Sequence, residues 1–136
     1  MIVLDAWAVM AWLKGQQPGA ERVRLLLEAA ERREQNLLMN IVNLGEVFYL
    51  SVKARDLPYG KRVLDTLRPR LTIIPATDSL VMAAATLKSR HAISYADAFA
   101  AATALIRDAP LVTGHPELQT MAGNEKNMKL EWIACK

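Results

Sequence analysis

Three carboxylates in this sequence stand where apolar segments meet polar ones. Asp5 directly follows Ile2-Val3-Leu4, Glu46 closes Asn43-Leu44-Gly45-Glu46, and Asp97 closes Ser94-Tyr95-Ala96-Asp97. Three carboxylates converging in a low-dielectric cleft repel one another unless protons or a cation neutralise them. The usual neutraliser is a hard divalent cation, and all-oxygen ligation suits Mg²⁺ or Mn²⁺ in octahedral geometry. Such an ion activates water and offsets charge on a phosphoryl oxygen, which is what phosphodiester hydrolysis requires. Each acid also has a plainer role. Asp5 is a favoured residue type for capping the helix that follows it, and Asn43 with Glu46 has the spacing of a capping box.

The surrounding elements decide whether these acids meet. Ile2-Val3-Leu4 reads as a short buried strand, and Ala6 to Lys14 as an apolar helix that stops at Gly15 before a turn through Pro18-Gly19. Ala20 to Gln35 is amphipathic, with Val23, Leu26, Leu27 and Ala30 on one face, as in a helix packed on a sheet. Leu37-Leu38-Met39 is a second strand, followed by a helix opening at Asn43 and running to Arg55. A fourth helix covers Tyr59 to Leu67 with Pro58 at its first position. Leu71 to Ile74 is a third strand, and Asp78 caps a helix reaching Leu87. Ser94 opens an alanine-rich helix to about Arg107. Pro110-Leu111-Val112 is a fourth strand ending in Thr113-Gly114-His115-Pro116, and Leu130 to Ile133 is a last one.

This alternation predicts a single α/β domain over residues 1–136, with a parallel sheet and helices on both faces. Asp5, Glu46 in the first turn of its helix, Asp97 and His115 then all fall at the carboxyl edge of the strands, where open α/β sheets bind ligands.

With 136 residues, 52% apolar and 23% charged, the chain can bury a core and is not disordered. A formal net charge of +3 permits a polyanionic partner without demanding one. Its single cysteine, Cys135, excludes an internal disulfide and a cysteine-based zinc cluster, which fits a reducing cytoplasm. No run approaches the roughly 18 apolar residues of a membrane span, and no signal peptide is expected, so the expected location is cytoplasmic. GxGxxG, GxxxxGK[ST] and HExxH motifs are absent, as are nucleophilic-serine signatures. A receiver-like or nucleotide-binding domain would need a phosphoacceptor Asp with a partner lysine, or a glycine-rich phosphate loop, and neither is evident.

The stretches "IVLDAWAVMAWL", "NLGEVFYL", "ISYADAFAAATAL" and "APLVTGHPEL" occur in the order and at the spacing of PIN-domain ribonucleases, and the whole chain resembles a VapC-type toxin of a toxin–antitoxin pair. The resemblance implies a flavodoxin-like fold, a metal-dependent endoribonuclease using Mg²⁺ or Mn²⁺, an RNA substrate, a small protein antitoxin and a homodimer. It matches Asp5, Glu46 and Asp97 to the family's first three acids, as metal ligands and catalytic groups, and Thr113 to its small polar residue before the last acid. The family's fourth acid is replaced here by His115, which can ligate Mn²⁺ or Zn²⁺ but is a poor partner for Mg²⁺. Ala6-Trp7 departs from the small hydroxyl residues many relatives carry. Of the nearby acids, Asp108 belongs to the turn before the fourth strand, and Glu117 is the alternative substitute.

Candidate RNA-backbone contacts are Lys53, Arg55, Lys61 and Arg62, each of which also reads as an ordinary solvated helix end. Among the apolar and aromatic residues Trp7, Trp12, Phe48, Tyr49 and Tyr59, some are expected to face another chain. The alternative function is a catalytically weakened PIN-fold module that grips RNA or an antitoxin without cutting.

Overall fold

The computed structural model describes residues 1–134, so Cys135 lies outside the described residues. The strands are β1 (Ile2–Leu4), β2 (Leu37–Asn40), β3 (Thr72–Ile74), β4 (Leu111–Thr113) and β5 (Leu130–Trp132). They form one parallel sheet in the order β3-β2-β1-β4-β5. The helices are α1 (Ala6–Lys14), α2 (Gly19–Glu31), α3 (Ile41–Ala54), α4 (Leu57–Leu67), α5 (Asp78–Arg90), α6 (Tyr95–Arg107) and α7 (Pro116–Ala122).

The period-two alternation of a strand explains how two cores grow on one sheet. Ile2, Leu4, Leu37, Met39 and Val112 face a core closed by α1, α2, α3 and α4, where Val9, Val23, Leu27, Leu44, Val47, Val63 and Leu67 are buried. Val3, Leu38 and Leu111 point the other way, into a core closed by α5, α6 and α7. Strands buried on both faces read as continuous apolar runs, which is why IVL and LLM stand out in the sequence. The expected fold class holds, and no helix among the described residues is long and apolar enough to cross a membrane.

Several boundaries differ from the sequence expectation, each for a local reason. α3 begins at Ile41 because Asn40, not Asn43, is its cap, accepting the Val42 N–H at 2.9 Å. Asn43 is instead buried inside the helix, and Glu46 stands in the second turn rather than the first. Thr77, not Asp78, caps α5 through Leu80 N–H at 3.3 Å. Asp56 caps α4, so the helix starts at Leu57 and Pro58 follows in its first turn. α2 runs from Gly19 and stops at Glu31, short of the expected Gln35. α7 was not expected. Its seven residues carry only Leu118 and Met121 inward, too short a period to be read against the Gly-His-Pro turn before it.

Strand order reverses at β1, which has β2 on one side and β4 on the other. The crevice outside the carboxyl ends of β1 and β4 is therefore the topological switch point, the general ligand site of open α/β sheets. Asp5 follows β1 directly, and Thr113 ends β4.

Candidate active site

Each acid reaches the switch point by a different local device. Asp5 is the N-cap of α1: its Oδ1 accepts the Ala8 N–H at 2.8 Å and its Oδ2 accepts the Thr113 hydroxyl. The capping reading and the site reading thus hold together. Asp5 is only 1% exposed, and burial pushes its carboxyl up to about 7, against the lowering effect of the Thr113 and Ala8 hydrogen bonds.

Asp97 sits in the first turn of α6, with its N–H donating to Ser94 Oγ, the cap, at 3.1 Å. Burial raises its proton affinity, while His115, whose Nδ1 lies 2.6 Å from Asp97 Oδ2, lowers it. Glu46 is half-buried on α3, held above the usual carboxylate range first by burial and then by the negative charge of Asp97. α3 and α6 are tied directly by Asn43 Nδ2, which donates to the Ala96 carbonyl at 2.9 Å.

A cleft of about 430 Å³ opens above these groups. Glu46, Asp97, His115 and Glu117 stand on its wall, and Asp5 is buried next to it rather than on the wall itself. One stripe of α1, Trp7, Met10, Ala11 and Lys14, also lines the cleft, as does Leu50, one turn on from Glu46 along α3. Trp7 is locked there because the turn after β4 is pressed against it: a Cβ on Gly114 would fall 2.2 Å from Trp7 Cη2 and 2.3 Å from the Ile133 carbonyl oxygen. The expected departure at Trp7 is thus a packed wall that requires glycine opposite it.

The four positions expected at the strand edge are gathered there, but not equally. Ligand atoms of Asp97, His115 and Glu117 lie within 4.8 Å of one another, whereas Asp5 and Glu46 stand outside that tight group. Glu117 comes in on α7, whose first turn it occupies. Asp108 is the left-handed C-cap of α6, φ 49°, and pairs with Lys129 at 2.9 Å, as its turn assignment predicts.

Ser94, read from sequence as the opening of its helix, is that helix's cap, while Lys14 is not singled out from sequence. The signal for Lys14 was available, since residues 7, 10, 11 and 14 share one helix face beginning beside Asp5. None of Lys53, Arg55, Lys61 or Arg62 lines the cleft, and the guanidinium groups of Arg55 and Arg62 instead lie 4.6 and 5.9 Å from the Tyr59 ring centroid. Of the aromatic residues proposed to face another chain, Trp7, Trp12 and Tyr59 pack partly buried on the core, and Tyr49 is exposed.

The donor set fits a divalent cation. Oxygen and imidazole donors of Asp97, His115 and Glu117 come within 4.8 Å of one another beside the half-buried Glu46 on one open cleft, a donor set that suits such an ion.

The architecture has solved counterparts. VapBC2 from Rickettsia felis, solved bound to a DNA fragment from its promoter, superposes with a TM-score of 0.73 at 21% identity, covering 98% of this chain and 100% of that one. DNA-bound VapBC from Salmonella typhimurium gives 0.70 at 15% identity and 96% coverage of both chains. VapBC-5 from Mycobacterium tuberculosis, a member of the VapBC family of toxin–antitoxin systems, gives 0.63 at 17% identity, covering 96% of this chain and 97% of that one. At such identities the likeness is one of fold. No protein of curated function matches the sequence. The family model of the PIN domain, however, matches residues 2–124, from β1 past the end of α7 and across all the clustered acids, and by that match the chain belongs to the PIN domain family.

Proposed function

We propose that this protein is a metal-dependent endoribonuclease, the toxin of a toxin–antitoxin pair, with Asp5, Glu46 and Asp97 as its essential acids. The observation that supports the reading is geometric: Glu46 and Asp97 line one cleft at the switch point with Asp5 buried next to it, three acids that come from three separate elements. Solved relatives of the same fold are toxin–antitoxin complexes, which supports a small protein antitoxin as partner. A homodimer and a cytoplasmic location complete the proposal.

Asp97, Glu117, His115 and Glu46 would hold Mg²⁺ or Mn²⁺ from the cleft wall, with Asp5 adding charge from behind. When bound, such a cation supplies positive charge where negative charge builds on a phosphoryl oxygen and makes water a better nucleophile. The protein's own groups do the rest. Glu46, half-buried on the cleft wall, would take a proton from the attacking water as the water oxygen bonds to phosphorus, while the bond from phosphorus to the leaving ribose oxygen breaks and that oxygen takes a proton from solvent. Lys14 offers an ammonium to a backbone phosphate, and Trp7, Met10 and Leu50 give apolar surface for a ribose or base.

The test is cleavage of structured and unstructured RNA with and without Mg²⁺ or Mn²⁺, by the parent and by Asp5→Asn, Glu46→Gln and Asp97→Asn. Parent-like cutting by all three variants refutes the assignment. A second reading, a weakened module that binds RNA or antitoxin without cutting, is favoured by the His115–Asp97 contact, which occupies a carboxylate oxygen that a ligand would otherwise need. Metal-independent RNA binding with no cleavage in the same assay would select it.

A further inference from the structure

The replacement of the fourth family acid leaves a donor set unlike an all-carboxylate site. His115 lies between β4 and α7 with φ −80° and ψ 119°, and its ring makes no cap bond to α7. Its N–H is held by Thr113 Oγ1 at 3.1 Å, which fixes the backbone, and the ring turns to Asp97, 2.6 Å from Nδ1 to Oδ2. Two residues on, Glu117 brings a carboxylate oxygen into the same group, within 4.8 Å of both. Cis ligands on an ion with bonds of about 2.1 Å lie roughly 3 Å apart and trans ligands roughly 4 Å apart, so these three atoms can share one ion after a small adjustment.

Asp5 cannot compete as an equal wall ligand. It is 1% exposed, and both of its oxygens already accept hydrogen bonds, from Ala8 and Thr113. The donors reachable from the cleft are therefore three carboxylates, Glu46, Asp97 and Glu117, and one imidazole.

We propose that Asp97, His115 and Glu117 form a mixed nitrogen–oxygen ligand triad that selects first-row transition dications such as Mn²⁺ and Zn²⁺ over Mg²⁺. The proposal rests on reading the cleft as a metal site. His115 removes one negative charge from the place of the fourth acid and supplies a borderline nitrogen donor. Mg²⁺ is bound mainly by oxygen and keeps its waters, so it gains little from imidazole, whereas transition ions gain progressively along the Irving–Williams order. Glu117 returns the lost charge from a position on α7 rather than from the strand-end turn.

The experiment uses the full chain stripped of metal, without RNA. Mn²⁺ is titrated by isothermal calorimetry, Mg²⁺ and Zn²⁺ are used as competitors, and bound Mn²⁺ is examined by pulsed electron paramagnetic resonance for nitrogen hyperfine modulation. The parent is expected to show that modulation, to require more than a tenfold excess of Mg²⁺ to displace Mn²⁺, and to release Mn²⁺ to stoichiometric Zn²⁺. His115→Gln should lose the modulation and about tenfold in Mn²⁺ affinity. Glu117→Gln should keep the modulation and lose affinity. Mn²⁺ bound in an Asp97-dependent way without nitrogen modulation in the parent overturns the triad and leaves the metal-dependent nuclease standing. Absence of any Asp97-dependent Mn²⁺ binding overturns both, and the parent measurement alone decides this even if a variant fails to fold.

Discussion

Asn43 Nδ2 donates to the Ala96 carbonyl oxygen at 2.9 Å, and this bond pins the first turn of α3 to the first turn of α6. Glu46 lies one turn beyond Asn43 and Asp97 directly follows Ala96, so the bond sets the spacing of two of the three acids proposed to be essential. Asn43 Oδ1 is buried with no hydrogen-bond partner among the described residues, so the side chain is retained for one bond at the cost of an unmet acceptor.

Asn43→Ala should therefore leave the Ala96 carbonyl unpaired and destabilise the protein by about 1–3 kcal/mol. Urea unfolding measures that loss. Because the bond also fixes geometry, RNA cleavage should fall by more than the folded fraction does, and equal falls in both would show that the bond serves stability alone.

Asp5 should make the metal-free protein less stable as pH rises. Its folded carboxyl is pushed up to about 7 from an ordinary value of 3.8, so between those two values the folded state keeps a proton that the unfolded state has released. Stability then falls by about 1.4 kcal/mol per pH unit over that window, roughly 4 kcal/mol at most. Below pH 4 both states are protonated and the effect is absent. Burial of Glu46 and Asp97 acts in the same direction. Denaturation midpoints from pH 4 to 8 should fall for the parent and stay flatter for Asp5→Asn, and saturating Mn²⁺ should recover the parent's loss at pH 8. A parent profile that rises with pH contradicts the raised carboxyl.

How far the sequence carried these conclusions depends on the range of each signal. Asp5 was legible because strand, acid and helix are consecutive, so one short stretch specifies both its cap bond and its place at the sheet edge. Glu46 was assigned to the right edge by the wrong device. Asn43 looked like a cap because cap chemistry is local, while its true partner, Ala96, is 53 residues away. Glu117 and Lys14 were harder still. α7 is too short for periodicity to show, and Lys14 matters only because the turn at Gly114 holds Trp7 and its helix face against the cleft. Contacts of that kind are properties of the packed fold.

Thr113→Val replaces the hydroxyl that donates to Asp5 Oδ2 with a methyl of similar volume. The lost hydrogen bond stabilised the charged form of Asp5, so its carboxyl should move further up and the rising limb of the pH–rate profile should shift to higher pH. Activity near neutrality should drop, because less of Asp5 carries its negative charge there. An unshifted limb with the same drop would assign Thr113 to packing instead.

Lys14 supplies the ammonium on the cleft wall, while Lys53, Arg55, Lys61 and Arg62 lie off it. If one backbone phosphate docks against Lys14, removing that charge should weaken RNA binding without altering the acids that act on the bond. In a Glu46→Gln background, where RNA is held but not cut, Lys14→Ala should lower affinity for single-stranded RNA. It should also reduce the slope of log affinity against log salt by about 0.7, the value expected for one neutralised phosphate on a single strand. In the cutting enzyme the same substitution should raise KM more than it lowers kcat. Arg55→Ala serves as the comparison, because its guanidinium is already engaged 4.6 Å from the Tyr59 ring centroid and outside the cleft. A salt slope changed by Arg55→Ala and untouched by Lys14→Ala would move the RNA path from the α1 wall to the surface of α3 and α4.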